Sequence, residues 1–240
     1  MISEAVIWGV ISVIPLIFGA WIAFRFKPSS KIVGVVMGFG AGALIAAVAY
    51  ELIPESSPRD FATFLCLGLG AVVFYVATSW IDRRSRRKGE GAGNTKAQTG
   101  RAILLGALLD GVPESLVLGM SIGIGDAVSI SFLGAVFVSN LPESIGASSE
   151  MEAGGMQRSR VYKIWTVIML TCVLVTICGA LMIYYVPNLE GFYVKAFAAG
   201  AVLAMLTDSM IPEGFSEGGR LTGLMTVMGF AFASILALLG

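Results

Sequence analysis

The chain is a succession of long apolar stretches separated by short polar segments. A helix needs about 20 apolar residues to cross the hydrocarbon core of a bilayer, and eight stretches meet this length. They run over Ala5–Phe24, Ile32–Leu52, Phe61–Ile81, Ala102–Ile122, Ala127–Ala147, Ile164–Val186, Phe192–Ile211 and Leu221–Leu239. The pattern therefore predicts an all-α integral membrane protein with eight transmembrane helices, forming one transmembrane domain over residues 1–240.

Basic residues are distributed unevenly between the loops that join these spans. If the first residue lies outside the cell, 14 of the 16 Lys and Arg residues fall on cytoplasmic segments, and only Arg59 and Lys195 lie outside. This asymmetry follows the positive-inside rule. It predicts a multi-pass protein of the cell membrane with both termini outside. The densest basic run, Asp82 to Arg101, predicts a flexible cytoplasmic linker that touches anionic lipid.

The composition excludes several classes of protein. Hydrophobic residues make up 56% of the chain and charged residues 13%, whereas soluble chains average roughly 45–50% and about 25%. A soluble enzyme, a disordered chain and a nucleic-acid binder are therefore excluded. There is no His, and Cys66, Cys172 and Cys178 all lie in apolar stretches, where small buried residues are expected. We expect no enzymatic activity and no resident cofactor.

An internal repeat relates the two ends of the chain. Gly38–Glu55 resembles Ala196–Glu213 at an offset of 158 residues, and both segments close with Ile-Pro-Glu. The central spans match as well, since Asp110–Ser115 and Ser139–Ser144 both end in Pro-Glu-Ser, at an offset of 29. The matching spans run in opposite directions, so the sequence predicts a 3+2+3 inverted repeat, as in many secondary transporters.

Carboxylates without basic partners mark the candidate site. Asp110, Glu114, Glu143 and Asp208 fall inside predicted spans, and no Lys or Arg lies deep in any span. An ionised group at the membrane centre costs roughly 2.5–3.5 kcal/mol on insertion scales. A buried charge is normally paired or bound to metal. These acids are therefore expected to be neutralised by protons or by a bound cation.

The spacing of the polar residues groups them on two neighbouring spans. Residues four apart share a helix face, and the proline before each glutamate frees the carbonyl four residues back. Carboxylate, amide, hydroxyl and carbonyl oxygens are ligands for hard divalent cations. The predicted metal ligands are Asp110, Glu114, Ser139, Asn140 and Glu143. Acids at the ends of the second and seventh spans predict the two mouths of the pathway, namely Glu51, Glu55, Asp208 and Glu213.

These motifs resemble those of the ZIP family of divalent metal transporters. Asp-Gly-Val-Pro-Glu-Ser and Ser-Asn-Leu-Pro-Glu-Ser are similar to the family pattern His-Asn-x-Pro-Glu-Gly, and the Leu-Ile-Pro-Glu and Met-Ile-Pro-Glu endings are similar to its Leu-x-Pro-Glu endings. The resemblance implies eight spans, both termini outside and a 3+2+3 arrangement. It further implies that Glu114 and Glu143 bridge the metal and that Asp110 completes the first site. The chain departs from the family pattern at Asp110 and Ser139, which stand in place of usual ligands such as His.

The expected function is secondary transport of divalent metal cations through the carboxylate site on the fourth and fifth spans. The family resemblance favours zinc, whereas oxygen ligands suit a harder ion such as manganese. Two alternatives stay open: a proton-coupled carrier of another small solute, and a non-transporting membrane scaffold derived from a carrier. The expected partners are the divalent cation as substrate and membrane lipid, with a homodimer as one option and no nucleic acid.

Overall fold

The computed structural model describes residues 1–53, 61–89, 95–125, 128–185 and 191–239, and these residues are almost entirely helical. The α-helices are α1 (Ile2–Phe26), α2 (Ser30–Ala47), α3 (Phe61–Gly89), α4 (Thr95–Ile124), α5 (Ile130–Ala153), α6 (Arg158–Tyr185), α7 (Gly191–Met205), α8 (Ile211–Gly218) and α9 (Arg220–Leu239). A π turn joins α7 to α8 without a break, so these two helices form one rod. The prediction of an all-helical fold is confirmed.

Several helices have the length and composition of membrane spans. Within the described residues, six segments are long and apolar enough to cross a bilayer: Ile2–Phe26, Ser30–Leu52, Phe61–Trp80, Arg158–Tyr185, Phe192–Gly218 and Arg220–Leu238. Large apolar side chains cover the outside of the bundle, among them Trp21, Leu174 and Phe232. Exposed apolar surface on this scale indicates contact with lipid. The chain is therefore a multi-pass membrane protein.

The basic segment predicted as a flexible linker is largely helical. Helix α3 continues to Gly89 and α4 begins at Thr95, so most of Asp82 to Arg101 belongs to a helix. Residues 90–94 lie outside the described part of the chain. Arg, Lys, Ala and Gln are good helix formers, and they allow a helix that leaves the apolar region to continue.

Two π turns interrupt the helices at matching positions. The first is Val48–Leu52, at the end of α2, and the second is Leu206–Met210, between α7 and α8. The amide of Ile53 donates to the carbonyl of Val48 at 3.1 Å, five residues back. The two turns are 158 residues apart, and in the sequence each is followed directly by Ile-Pro-Glu. Such turns often mark functional sites, and hydropathy did not predict them.

Glycines bring the backbones of two helix pairs into contact. A Cβ added at any of four glycines would meet a carbonyl of the partner helix. The contacts are Gly70 with Phe197 and Gly200 with Leu67 between α3 and α7, and Gly42 with Thr226 and Gly229 with Phe39 between α2 and α9. Small residues allow such close approach in lipid. These crossings fix α2 and the α7–α8 rod, which carry residues of the candidate site.

The central helices pack against α1 and α6. Helix α4 crosses α6 where Gly179 lies against the carbonyl of Leu116. Helix α5 packs along α1, and the buried indole of Trp165 on α6 donates to Ser148 Oγ on α5 at 2.8 Å. Helices α4 and α5, which carry both Pro-Glu motifs, are therefore held in the interior of the bundle.

Candidate cation site

A small cavity brings together acidic residues from three helices. It has a volume of about 20 Å³, enough for one water or one cation. Glu114 comes from α4, Ser139 and Glu143 come from α5, and Glu213 comes from α8. The full lining is Met37, Glu114, Ser139, Glu143, Met205, Ser209, Met210 and Glu213. We refer to it as the Glu143 cavity, and it contains three of the five predicted ligands.

Close packing of α2 against α5 shapes one wall of this cavity. A Cβ at Gly40 would lie 2.9 Å from Ser139 Cα and 3.1 Å from Met210 Cε. The Ser139 hydroxyl donates to the carbonyl of Val136 at 2.9 Å, which leaves its oxygen lone pairs as acceptors or ligands. Ser139 and Glu114 are buried, with 3% and 4% of their surface exposed. The carboxylate of Glu114 is thus held in the protein interior.

Asn140 does not line the Glu143 cavity. Its Nδ2 donates to the carbonyl of Ser12 in α1 at 3.2 Å, and its side chain is buried. Four residues further on, the Ser144 hydroxyl donates to the carbonyl of Pro15 at 3.2 Å. Adjacent helical residues point about 100° apart, so Asn140 cannot share the face of Ser139. The structure assigns Asn140 to the contact between α5 and α1.

Two predicted residues fall outside what the structure describes. The backbone of Asp110 belongs to α4, but its side chain lies outside the described part. Glu55 lies within residues 54–60, which are also outside it. Among the side chains that the structure does describe, no three Cys, Asp or Glu come close enough to hold a metal ion as they stand.

The two acids of the seventh span are separated. Glu213 lines the Glu143 cavity, and its side chain is exposed. Asp208 instead borders a groove between α3 and the second π turn, next to Tyr75 and Thr207. Asp208 and Glu213 therefore line different cavities, and their grouping at one mouth of the pathway stays a prediction.

A second, larger cavity lies towards the other end of the bundle, where the first π turn and α4 end and α5 and α7 begin. Its volume is about 290 Å³. Its polar lining consists of Glu51, Ser121, Ser129 and Lys195, and its apolar lining of Leu52, Val117, Leu118, Val128 and Phe132. We refer to it as the Glu51 cavity. Among the predicted pathway acids that the structure describes, namely Glu51, Asp208 and Glu213, Glu51 is the one that lines it.

The two cavities differ in charge. Three carboxylates line the Glu143 cavity, and none of the described residues around it is basic. The Glu51 cavity instead holds one acidic and one basic side chain, Glu51 and Lys195. The described lining of the Glu143 cavity therefore has three acidic side chains and no basic one, whereas the acidic and basic side chains of the Glu51 cavity balance.

Sequence reasoning missed several residues that line these cavities. Lys195 was assigned only to the count of outside charges, and Ser209 and Met37 were not considered. The repeat offers a signal for them, because Ser209 stands 158 residues after Glu51, and Lys195 stands 158 residues after Met37. Each pair contributes one residue to each cavity.

Comparison with known proteins does not identify a function for these cavities. The chain matches no protein-family model and no curated protein sequence. Its function is therefore argued from the site.

Proposed function

We propose that this protein is a secondary carrier of divalent metal cations, which pass through the Glu143 cavity. One observation carries the proposal. Glu114, Glu143 and Glu213, from three different helices, line a single cavity whose described lining contains no basic side chain. Glu114 is buried, Glu143 is partly buried and Glu213 is exposed. Carboxylates that share one cavity repel one another, and a divalent cation relieves this repulsion.

The chemistry of the lining indicates the class of cation. Carboxylate and hydroxyl oxygens suit Mg²⁺, Ca²⁺ and Mn²⁺, whereas thioether sulphur favours softer ions. Three thioethers, those of Met37, Met205 and Met210, line the cavity beside the carboxylates. A mixed set of this kind favours Zn²⁺, Mn²⁺ or Fe²⁺ over Mg²⁺. The resemblance to the ZIP family supports the same choice.

The loose arrangement of the acids is compatible with transport. A transport site must bind its ion strongly enough to admit it and weakly enough to release it. In the part of the chain that the structure describes, three acids share a cavity but form no cluster of three ligands. Water would therefore complete the coordination of a bound ion, which allows the ion to be released. A tight structural site, with four closed protein ligands, would retain the ion.

The proposal includes the 3+2+3 inverted repeat. Support comes from contacts that recur in both halves, since the carbonyls of Phe39 and Phe197, 158 residues apart, each meet a glycine of a neighbouring helix. The two π turns have the same separation. With both termini outside, the Glu51 cavity opens towards the exterior and the Glu143 cavity extends towards the cytoplasm.

Uptake into proteoliposomes tests the proposal directly. We expect the purified protein to accelerate uptake of Zn²⁺, Mn²⁺, Fe²⁺ or Cd²⁺ over protein-free liposomes, with little uptake of Mg²⁺. Glu143→Gln should abolish uptake and leave the protein folded, because it removes a charge that repels its neighbours. Glu4→Gln is the matched control, since Glu4 is exposed and pairs with the N-terminal amine at 2.7 Å.

Two results would contradict the proposal. One is metal uptake by Glu143→Gln at the rate of Glu4→Gln. The other is proton movement that accompanies an organic solute in the absence of any divalent metal, which would favour the proton-coupled carrier.

A further inference from the structure

The two cavities are built from matching positions of the repeat. Met37 of the Glu143 cavity corresponds to Lys195 of the Glu51 cavity, and Ser209 corresponds to Glu51. A third pair, Met210 and Leu52, is apolar in both. The offset is 158 residues in every case. The chemistry of the Glu51 cavity can therefore be compared with that of the Glu143 cavity position by position.

Two of these positions differ in a correlated way. The neutral pair Met37 and Ser209 is replaced by the charged pair Lys195 and Glu51. A lysine that lines the entrance of a cation pathway repels the cargo, and this is a disadvantage if the side chain acts alone. The ammonium and the carboxylate line one cavity, so each reduces the potential created by the other.

From this exchange we propose that Lys195 is a specificity-determining residue, which makes the Glu51 cavity admit divalent cations and exclude monovalent ones. The inference rests on the proposed function, since it assigns the Glu51 cavity as the entrance of the carrier. Because both side chains line one cavity, the ammonium of Lys195 acts as a tethered monovalent cation at high local concentration for the Glu51 carboxylate. Sodium or potassium carries the same charge as the ammonium. Neither ion is therefore attracted more strongly than the ammonium to the Glu51 carboxylate.

A divalent cation competes differently. It carries twice the charge of the ammonium, so its attraction to the Glu51 carboxylate is about twice as strong at equal distance. The hydroxyls of Ser121 and Ser129 supply further oxygen ligands in the same cavity. Divalent ions can thus take the place of the ammonium at the carboxylate, whereas monovalent ions cannot.

The test compares the wild type with two variants in Mn²⁺ uptake, with external sodium replacing choline at constant ionic strength. Lys195→Met installs the residue found at the matching position of the Glu143 cavity, and Lys195→Arg keeps the charge. We expect sodium to slow uptake by Lys195→Met severalfold, because the described lining then has no basic side chain to compete with sodium for the Glu51 carboxylate. Wild type and Lys195→Arg should change little.

A double variant supplies the decisive control. Lys195→Met combined with Glu51→Ser reproduces the neutral pair Met37 and Ser209 in the Glu51 cavity. We expect its uptake to be insensitive to sodium, because the carboxylate that attracts sodium has been removed together with the ammonium. Sodium inhibition that persists in the double variant would overturn the inference.

Binding of Mn²⁺ to the purified protein, followed by electron paramagnetic resonance, separates this inference from the proposed function. Sodium competition in Lys195→Met but not in wild type supports the role of Lys195 even if no transport occurs. If the wild type takes up Mn²⁺ and Lys195→Met is no more sensitive to sodium than the wild type, the role of Lys195 is overturned. The proposed transport function then still stands. Absence of both Mn²⁺ binding and uptake in wild type overturns both.

Discussion

Neighbouring residues of the Ser-Asn-Leu-Pro-Glu-Ser motif serve different purposes. Ser139 and Glu143 line the Glu143 cavity, whereas Asn140 and Ser144 hydrogen-bond to carbonyls of α1. The split follows the helix period, since residues four apart share a face and adjacent residues do not. The motif therefore combines a face that lines the Glu143 cavity with a face that anchors α5.

Removal of the Asn140 side chain should affect folding more than selectivity. We expect Asn140→Ala to lower the free energy of unfolding by about 0.5–1.5 kcal/mol, because the buried hydrogen bond from its amide to the carbonyl of Ser12 is lost. The relative rates of Zn²⁺, Mn²⁺ and Cd²⁺ uptake should stay the same. Denaturant unfolding and competitive uptake measure the two quantities.

Ser144→Ala is the matched control, because it removes a hydroxyl on the same face that does not line the cavity. It should behave like Asn140→Ala in both assays. A change of metal preference in Asn140→Ala alone would show that Asn140 binds the cation directly.

The sequence predicted the grouping of Glu114, Ser139 and Glu143 because helical spacing and the matched Pro-Glu pairs are visible in it. It could not predict that Asn140 faces α1, since this depends on which helix lies against each face of α5. It also could not place Lys195 beside Glu51, because these residues are far apart in the chain and meet only through the packing of α7 against the first π turn.

At the scale of elements, the positions at which helices end and the way in which helices cross have different physical causes. The predicted spans agree with the observed helices to within a few residues wherever apolar character sets the boundary, as in Leu221–Leu239 against Arg220–Leu239. Helix α5 extends further, to Ala153, because polar residues continue it beyond the apolar stretch. The π turns have no signature in hydropathy, since they change the number of residues per turn and not the composition.

Two glycines of α3 allow a controlled test of the crossings. Gly70→Ala places a methyl group against the carbonyl of Phe197 in α7, and we expect it to lower stability by about 1–3 kcal/mol through overpacking. Gly68→Ala meets nothing within 4 Å. It should be neutral or raise stability by up to about 1 kcal/mol, since alanine is the better helix former.

Unfolding midpoints of the two variants in the same detergent provide the measurement. Equal destabilisation by Gly68→Ala and Gly70→Ala would mean that the loss arises from helix propensity or from the lipid-facing surface. In that case the contact between α3 and α7 would not be the cause.

At the scale of the whole molecule, the cavities define a proposed path with two ends. We expect a membrane-impermeant maleimide to label Lys195→Cys from the exterior only and Glu213→Cys from the cytoplasm only. Both substitutions are made in a chain whose Cys66, Cys172 and Cys178 are replaced by alanine. The reason is that the two positions line cavities towards opposite ends of the bundle.

Glu4→Cys is the reference for the exterior, since Glu4 lies in the first turn of α1 and the N-terminus is proposed to be outside. It should react from the same side as position 195. Labelling of positions 195 and 213 from one side would rule out the proposed inverted arrangement.

The paired π turns bear on the history of the chain. Each turn accommodates one residue more than the α turn it replaces, which in genetic terms is a single-codon insertion. Under the proposed repeat, the insertion stands at the same place in both halves. An insertion shared by two copies is older than the duplication that produced them. A related chain that has the repeat but only one such turn would indicate that the insertion came after the duplication. Under the proposed repeat, the ancestral half-length protein would already have had the widened turn, and two of its molecules in opposite orientations would have packed together within the membrane.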